Sequence, residues 1–148
     1  MLVVQNKVWH RAEKFCLERD AHLVEIDSLE ESNFVLGLAD ESVKRFWIGL
    51  NDRKNEGEFV KSDGNAPIFF NWFRGEPNND GHVEDCAEVI MGYSQGSLAG
   101  HRIGKPFNGR WNDMNCDSGH FSGQAFVCEK PAEGKLSYFE LPYRTKIR

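Results

Sequence analysis

Gly75-Glu76-Pro77-Asn78-Asn79-Asp80-Gly81-His82-Val83-Glu84-Asp85-Cys86, read as GEPNNDGHVEDC, sets acids and side-chain amides beside a proline and a cysteine, with hardly an apolar residue among them. Hydrated turns capped by Asn and Asp explain such a composition at little cost. A second explanation is a hard cation. Calcium takes about 6 to 8 oxygen ligands, and carboxylates with amide carbonyls supply them, whereas zinc prefers Cys or His. A further polar triplet, Trp111-Asn112-Asp113, precedes Cys116, so two separated segments could furnish one oxygen-rich site. The continuous EF-hand pattern is absent.

Outward from this stretch, the chain has the length of one ordinary domain: 148 residues, 40% hydrophobic, with 11 Phe and 4 Trp to fill a core. Eighteen basic against twenty-three acidic residues give a net charge of -5. No Lys/Arg stripe is present to neutralise a phosphate backbone, which argues against a nucleic-acid partner. No segment approaches the roughly 20 apolar residues that cross a bilayer, and Met1–Val4 is too short for the apolar part of a signal peptide. The sequence thus fits a cytoplasmic protein or a secreted domain without its leader. Cys16, Cys86, Cys116 and Cys128 allow three complete pairings. They favour an oxidising compartment, four buried thiols being the alternative, and their spacing contains no zinc-knuckle or redox pair.

Trp9, Ala12, Cys16 and Arg19 recur at helical spacing with Phe15 beside them, which predicts a first helix. Ser28-Leu29-Glu30-Glu31 is a capping box, predicting a second helix with Phe34, Val35 and Leu38 as its buried stripe. His22–Ile26 between them reads as a brief strand. From Phe46 onward the short runs FWIGL, EFV, IFFNWF, CAEVIM and QAFVCEK are separated by Gly, Asn, Asp and Pro, predicting an α+β domain around a mostly antiparallel sheet. Gly92–Gly109, with five glycines and a proline, reads as a long surface loop. Residues 1–130 form the expected domain and 131–148 a tail that Tyr138, Phe139 and Leu141 could anchor.

In combination, Trp47-Ile48-Gly49-Leu50, Gly75-Glu76-Pro77-Asn78, Glu84-Asp85-Cys86, Trp111-Asn112-Asp113 and the four cysteines resemble a C-type lectin-like domain of the EPN, mannose-type class. The resemblance runs from about Val8 to Glu129. It implies two helices flanking small antiparallel sheets topped by long calcium-binding loops, with Cys16 paired to Cys128 and Cys86 to Cys116. The first pair would tie the first helix to the last strand. The second would join the base of GEPNNDGHVEDC to the base of the Trp111-Asn112-Asp113 segment. Trp47 reads as core, and Trp111 as a residue that positions its polar neighbours.

By the same resemblance, Glu76, Asn78, Glu84, Asn112 and Asp113 coordinate one Ca²⁺ and also bind sugar, with Pro77 matching a cis proline. Three carboxylates and two amides leave room for two adjacent sugar hydroxyls in a calcium shell. Asp52, Glu56, Asn79 and Asp85 match an auxiliary calcium site, where the Asn79 position is often Asp in domains that bind a second ion. Capping of the Asn51–Gly57 turn is the plainer role for Asp52 and Glu56. His82 and His101 read as solvated loop residues, with ligand contact as the alternative.

The resulting expectation is a secreted or extracellular, non-enzymatic module that binds glycans containing mannose, fucose or N-acetylglucosamine through Ca²⁺. It would insert into no membrane and could oligomerise for avidity. The alternative is a protein-binding or ice-binding module on the same scaffold. Glu76 and Glu84 as a hydrolytic pair are disfavoured, because carboxylates committed to calcium are poor proton shuttles.

Overall fold

The computed structural model describes residues 1–91, 109–118 and 124–131, and the backbone of 97–98 and 101–102. Strand β1 (Leu2–Val3) leads to helix α1 (Trp9–Leu17), strand β2 (His22–Leu23) and helix α2 (Leu29–Leu36). Next come β3 (Arg45–Asn51), β4 (Val60–Lys61), a 3-10 turn at Asp80–His82, β5 (Cys86–Ile90), β6 (Ser97–Leu98), β7 (His101–Arg102), β8 (Arg110–Met114) and β9 (Gln124–Glu129). The main sheet runs β1-β9-β3-β5-β8, with β2 on β9 and β4 on β3. Its pairs are antiparallel apart from β3 and β9, so the sheet is mixed; β6 and β7 form a separate antiparallel pair.

Helix α1 buries Trp9, Ala12 and Cys16 against Trp47 and Phe126. Arg19 lies beyond the helix, where its guanidinium carbon sits 3.6 Å from the Phe15 ring centroid. Ser28 caps α2: its hydroxyl accepts from the Glu31 N–H at 3.0 Å, while Glu31 accepts from the Asp27 N–H at 2.7 Å. The expected α2 stripe is only partly buried. Val35 faces the core, but Phe34 is 70% and Leu38 40% exposed, because α2 ends at Leu36 and rests on the sheet by a narrow edge.

The sheet separates two apolar clusters. One joins Ile48, Ala87, Val89 and Trp111 beneath α2, and the other joins Trp9, Trp47 and Phe126 beneath α1. Trp47 is fully buried and donates its indole N–H to the Lys7 carbonyl, which is a core role. Gly49 permits a close crossing: a Cβ there would lie 2.5 Å from the Leu23 carbonyl oxygen. Disulfides Cys16–Cys128 and Cys86–Cys116 join segments 112 and 30 positions apart, and the longer closure restricts the unfolded chain by about 4 to 5 kcal/mol on loop entropy.

Three strand expectations are corrected. IFFNWF contributes only an isolated bridge from Trp72 to Trp111, and Ile68 and Phe70 project outward, so apolar composition there marks a loop packed on the sheet edge. Of EFV only Val60 is in a strand, which runs on into Lys61, and His22–Ile26 narrows to its first two residues, since Val24 already turns its N–H to Val127 and its carbonyl to Gly49. Strand β1 had no sequence signal beyond two apolar residues. The expected anchors Tyr138, Phe139 and Leu141 and the His101 side chain lie outside the described residues, as does most of Gly92–Gly109.

Candidate functional site

Register brings the polar segments to one end of the sheet. Asn51 at the end of β3 faces Cys86 at the start of β5, and Cys86 faces Met114 at the end of β8. Asp52, Glu84-Asp85 and Asn112-Asp113 therefore emerge together, and the Cys86–Cys116 disulfide holds that end closed. Residues 71–73 run along the free edge of β8, with the Trp111 N–H donating to the Asn71 carbonyl and the Phe73 N–H to the Trp111 carbonyl. The chain then reverses at Gly75, passes through a cis Glu76–Pro77 peptide and lays Asn78 and Asn79 beside Asp113.

Asp113 organises this loop. Its two carboxylate oxygens accept from the Asn78 N–H at 3.0 Å and the Asn79 N–H at 2.7 Å. The Asn78 amide donates to Glu76 at 3.0 Å, while the Asp80 N–H lies 2.9 Å from both Asn78 Oδ1 and a Glu84 oxygen. Asn79 takes a left-handed conformation (φ 44°), which its short polar side chain tolerates, and accepts from the Glu84 N–H at 3.1 Å. Glu76, Asn78, Glu84 and Asp113 are thus one connected group. Asn112 projects from the opposite face of β8, because neighbouring strand residues alternate, and its amide donates to Glu88 at 3.2 Å, not to this group.

The acids disturb one another. Burial first, then the Asp113 carboxylate and Glu84, push the Glu76 carboxyl up to about 8. Burial, Asp113, Asp80 and Glu88 push Glu84 up to about 7, against the favourable Asp80 N–H. One Glu76 oxygen is buried with no hydrogen-bond partner among the described residues. Such an all-oxygen set, short of compensating positive charge, fits a hard dication.

A tighter acidic group lies alongside. The carboxylates of Asp52, Glu56 and Asp85 offer ligand atoms within 4.8 Å of one another and can coordinate a divalent cation. Asp52 is buried, takes the Gly57 N–H at 2.7 Å on one oxygen and leaves the other without a partner among the described residues. Burial and then Glu56 and Asp85 raise its pKa. Asn79 stands apart in its bonding, its side-chain oxygen already engaged by the Glu84 N–H. His82 is exposed and shares a polar hollow of about 350 Å³ with His10, Arg53 and Asp85. Trp111 is buried in the core and packs edge-on against Phe69 and Trp72.

Sequence reasoning passed over Glu88. It is wholly buried in the centre of β5 and accepts from both Arg45 and Asn112. An acid inside the apolar run CAEVIM, with arginine opening the neighbouring run, was the available signal.

Residues 5–130 match the Lectin C-type domain family model. The chain belongs to the C-type lectin domain family. It is 38% identical over 125 residues to the hepatic lectin of Gallus gallus, covering 83% of this chain and 50% of that protein; the chain thus spans half of that relative's length. Among solved structures, it resembles the cow CD23 C-type carbohydrate-recognition domain crystallised in the presence of a GlcNAc2Man3 oligosaccharide, with 31% identity and TM-score 0.67, covering 86% of this chain and 82% of that one. It also resembles herring type II antifreeze protein, with 25% identity and TM-score 0.69, covering 88% of each chain. This C-type lectin domain is a carbohydrate- or ligand-binding module and not an enzyme. No helix among its described residues is long and apolar enough to cross a membrane.

Proposed function

We propose that the domain binds mannose-type carbohydrates in a calcium-dependent manner, with Glu76, Asn78, Glu84, Asn112 and Asp113 holding the ion and meeting the sugar. The carrying observation is the connected Glu76–Asn78–Glu84–Asp113 group, whose glutamates have raised pKa values and whose buried Glu76 oxygen lacks a partner among the described residues. Bound calcium would supply a positive centre with coordination positions for two vicinal hydroxyl oxygens. Around it, Asn78 would donate from its amide nitrogen and Glu76 would accept, exchanging their present mutual hydrogen bond for bonds to the sugar. Asp52, Glu56, Asn79 and Asp85 form the proposed second calcium site.

The likeness to the cow domain crystallised in the presence of a mannose-containing oligosaccharide supports this sugar class. Fucose and N-acetylglucosamine belong to the same proposed set. Residues 1–130 act as the recognition domain, with 131–148 as a tail, in an extracellular setting suited to both disulfides; oligomerisation would supply avidity. Likeness to the herring antifreeze protein favours a second reading, an ice-binding or protein-binding surface on this scaffold. Immobilised-mannan binding, with and without calcium and in competition with mannose and galactose, tests the proposal. Calcium-independent retention, or galactose competing at much lower concentration than mannose, would overturn it.

A further inference from the structure

Registers β9–β3 and β5–β8 place a polar row across the α1 face of the sheet, beyond the apolar cluster under that helix. Gln124 of β9 faces Arg45 of β3, and Glu88 of β5 faces Asn112 of β8, with Trp47 linking the two pairs. Glu88 has no exposed surface, the Arg45 side chain is 11% exposed and Asn112 is 7% exposed. One Glu88 oxygen, Oε1, accepts from Arg45 Nη1 at 2.9 Å and from Asn112 Nδ2 at 3.2 Å. Its other oxygen has no hydrogen-bond partner among the described residues.

A buried ion pair is not required for stability, since apolar residues of similar volume often replace one without loss. This pair does something apolar residues cannot. Arginine only donates, so the oxygen facing it is an acceptor, and the second group bonded to that oxygen must also present a donor. Asn112 can satisfy it only with its amide nitrogen. Because the amide is planar, fixing the nitrogen directs Oδ1 away from Glu88 and fixes which of its two ends is free to ligate.

We propose that Glu88, held by Arg45, is a positioning residue that sets the orientation of the Asn112 amide and so presents Asn112 Oδ1 to the cation site. This rests on the calcium reading for its consequence, but the orientation belongs to the calcium-free protein. The E88Q side chain would keep an oxygen acceptor for both donors. The double substitution R45M/E88L would remove the buried charges together, retaining an apolar contact while stripping Asn112 of its acceptor.

Calcium affinity by titration calorimetry, melting temperature, and the Asn112 side-chain amide resonances without calcium are measured for wild type, E88Q and R45M/E88L. The expected result is a folded double variant whose calcium affinity falls about ten-fold or more, the scale on which ligand-orienting partners act, with shifted Asn112 resonances, while E88Q, which keeps the acceptor, retains more of the affinity than the double variant. A folded double variant with wild-type calcium affinity, or with unmoved Asn112 resonances, overturns the assignment, because a purely structural ion pair would behave that way. Should the double variant not fold, R45L/E88M, which also removes both charges and the acceptor, takes its place with the same two outcomes. Wild-type protein that fails to bind calcium instead refutes the reading of the metal site, and the calcium-free resonances still decide the orientation.

Discussion

Asp113→Asn tests the site at the residue on which its loop depends. In the calcium-free protein both Asp113 oxygens accept backbone N–H groups, from Asn78 and Asn79. Asparagine keeps the volume but has one acceptor oxygen, so one half-buried donor loses its partner, at the low end of the about 1 to 3 kcal/mol that a buried one costs. Removal of the charge works the other way, because the Asp113 carboxylate helps to raise the pKa of Glu76 and of Glu84. The calcium-free melting temperature therefore falls modestly, and both glutamates titrate lower. The calcium effect is larger. Orienting partners of metal ligands are worth about 10- to 100-fold, and losing a charged ligand should reach at least the upper figure. At calcium equal to about 100 times the wild-type dissociation constant, wild type gains about 2.7 kcal/mol and a variant weaker by about 100-fold gains about 0.4 kcal/mol. For a chain of this length the difference of about 2.3 kcal/mol corresponds to roughly 5 to 9 °C of calcium-dependent thermal shift. Differential scanning fluorimetry across a calcium series, paired with mannan binding, reads both. An unchanged calcium shift in D113N, or sugar binding that survives while the shift disappears, would refute the reasoning.

Calcium affinity should fall on acidification below about pH 8, by up to about ten-fold per pH unit for each proton displaced, as Glu76 and then Glu84 protonate; calorimetry in buffers of different ionisation enthalpy counts the protons released. Both folded-state pKa values lie above the ordinary 4.5, so the calcium-free fold gains from these two groups at low pH and loses that contribution as pH rises through about 7 to 8, which calcium-free melts versus pH would register. Asp52→Asn should reduce calcium stoichiometry from two to one while leaving mannan binding measurable; a single ion in wild type, unaffected by D52N, would remove the second site. Exchanging acid and amide in E76Q/N78D should shift preference from mannose towards galactose by reversing donor and acceptor around the ion, and an unchanged competition order would count against hydroxyl readout by these two side chains.

How much of this was legible in the sequence varies with the range of the interaction involved. Local signals carried the helices: Trp9, Ala12 and Cys16 share a buried face, and the Ser28 cap forms as its motif requires. Periodicity told less about Phe34 and Leu38, because spacing defines a helix face without saying how far the sheet reaches across it. IFFNWF misled for a related reason, since aromatic richness there serves packing of Trp72 against Phe59 and Trp111 at a sheet edge. The pairing of the cysteines was legible only through family resemblance, which is also the source of the roles proposed for the separated acids. Composition alone left hydrated turns and three cysteine pairings open. Glu88 needed the fold itself, because its partners Arg45 and Asn112 lie 43 and 24 positions away.

The distribution of positive charge explains why the acidic end of the sheet is suited to an added cation. Lys61 is committed to Glu25 and Asp27, Arg45 to Glu88, and His10 lies beside Asp117. Among the described residues, no ion pair engages Glu76, Glu84, Asp113, Asp52 or Asp85. Backbone N–H groups partly compensate these carboxylates, as at Asp113, but Glu76 and Asp52 each retain a buried oxygen without a partner among those residues. A sequence shaped for stability alone would set lysine or arginine there, or fewer acids. Concentrated like charge held in place by strand ends and a disulfide is the kind of local conflict a folded protein retains where a ligand resolves it.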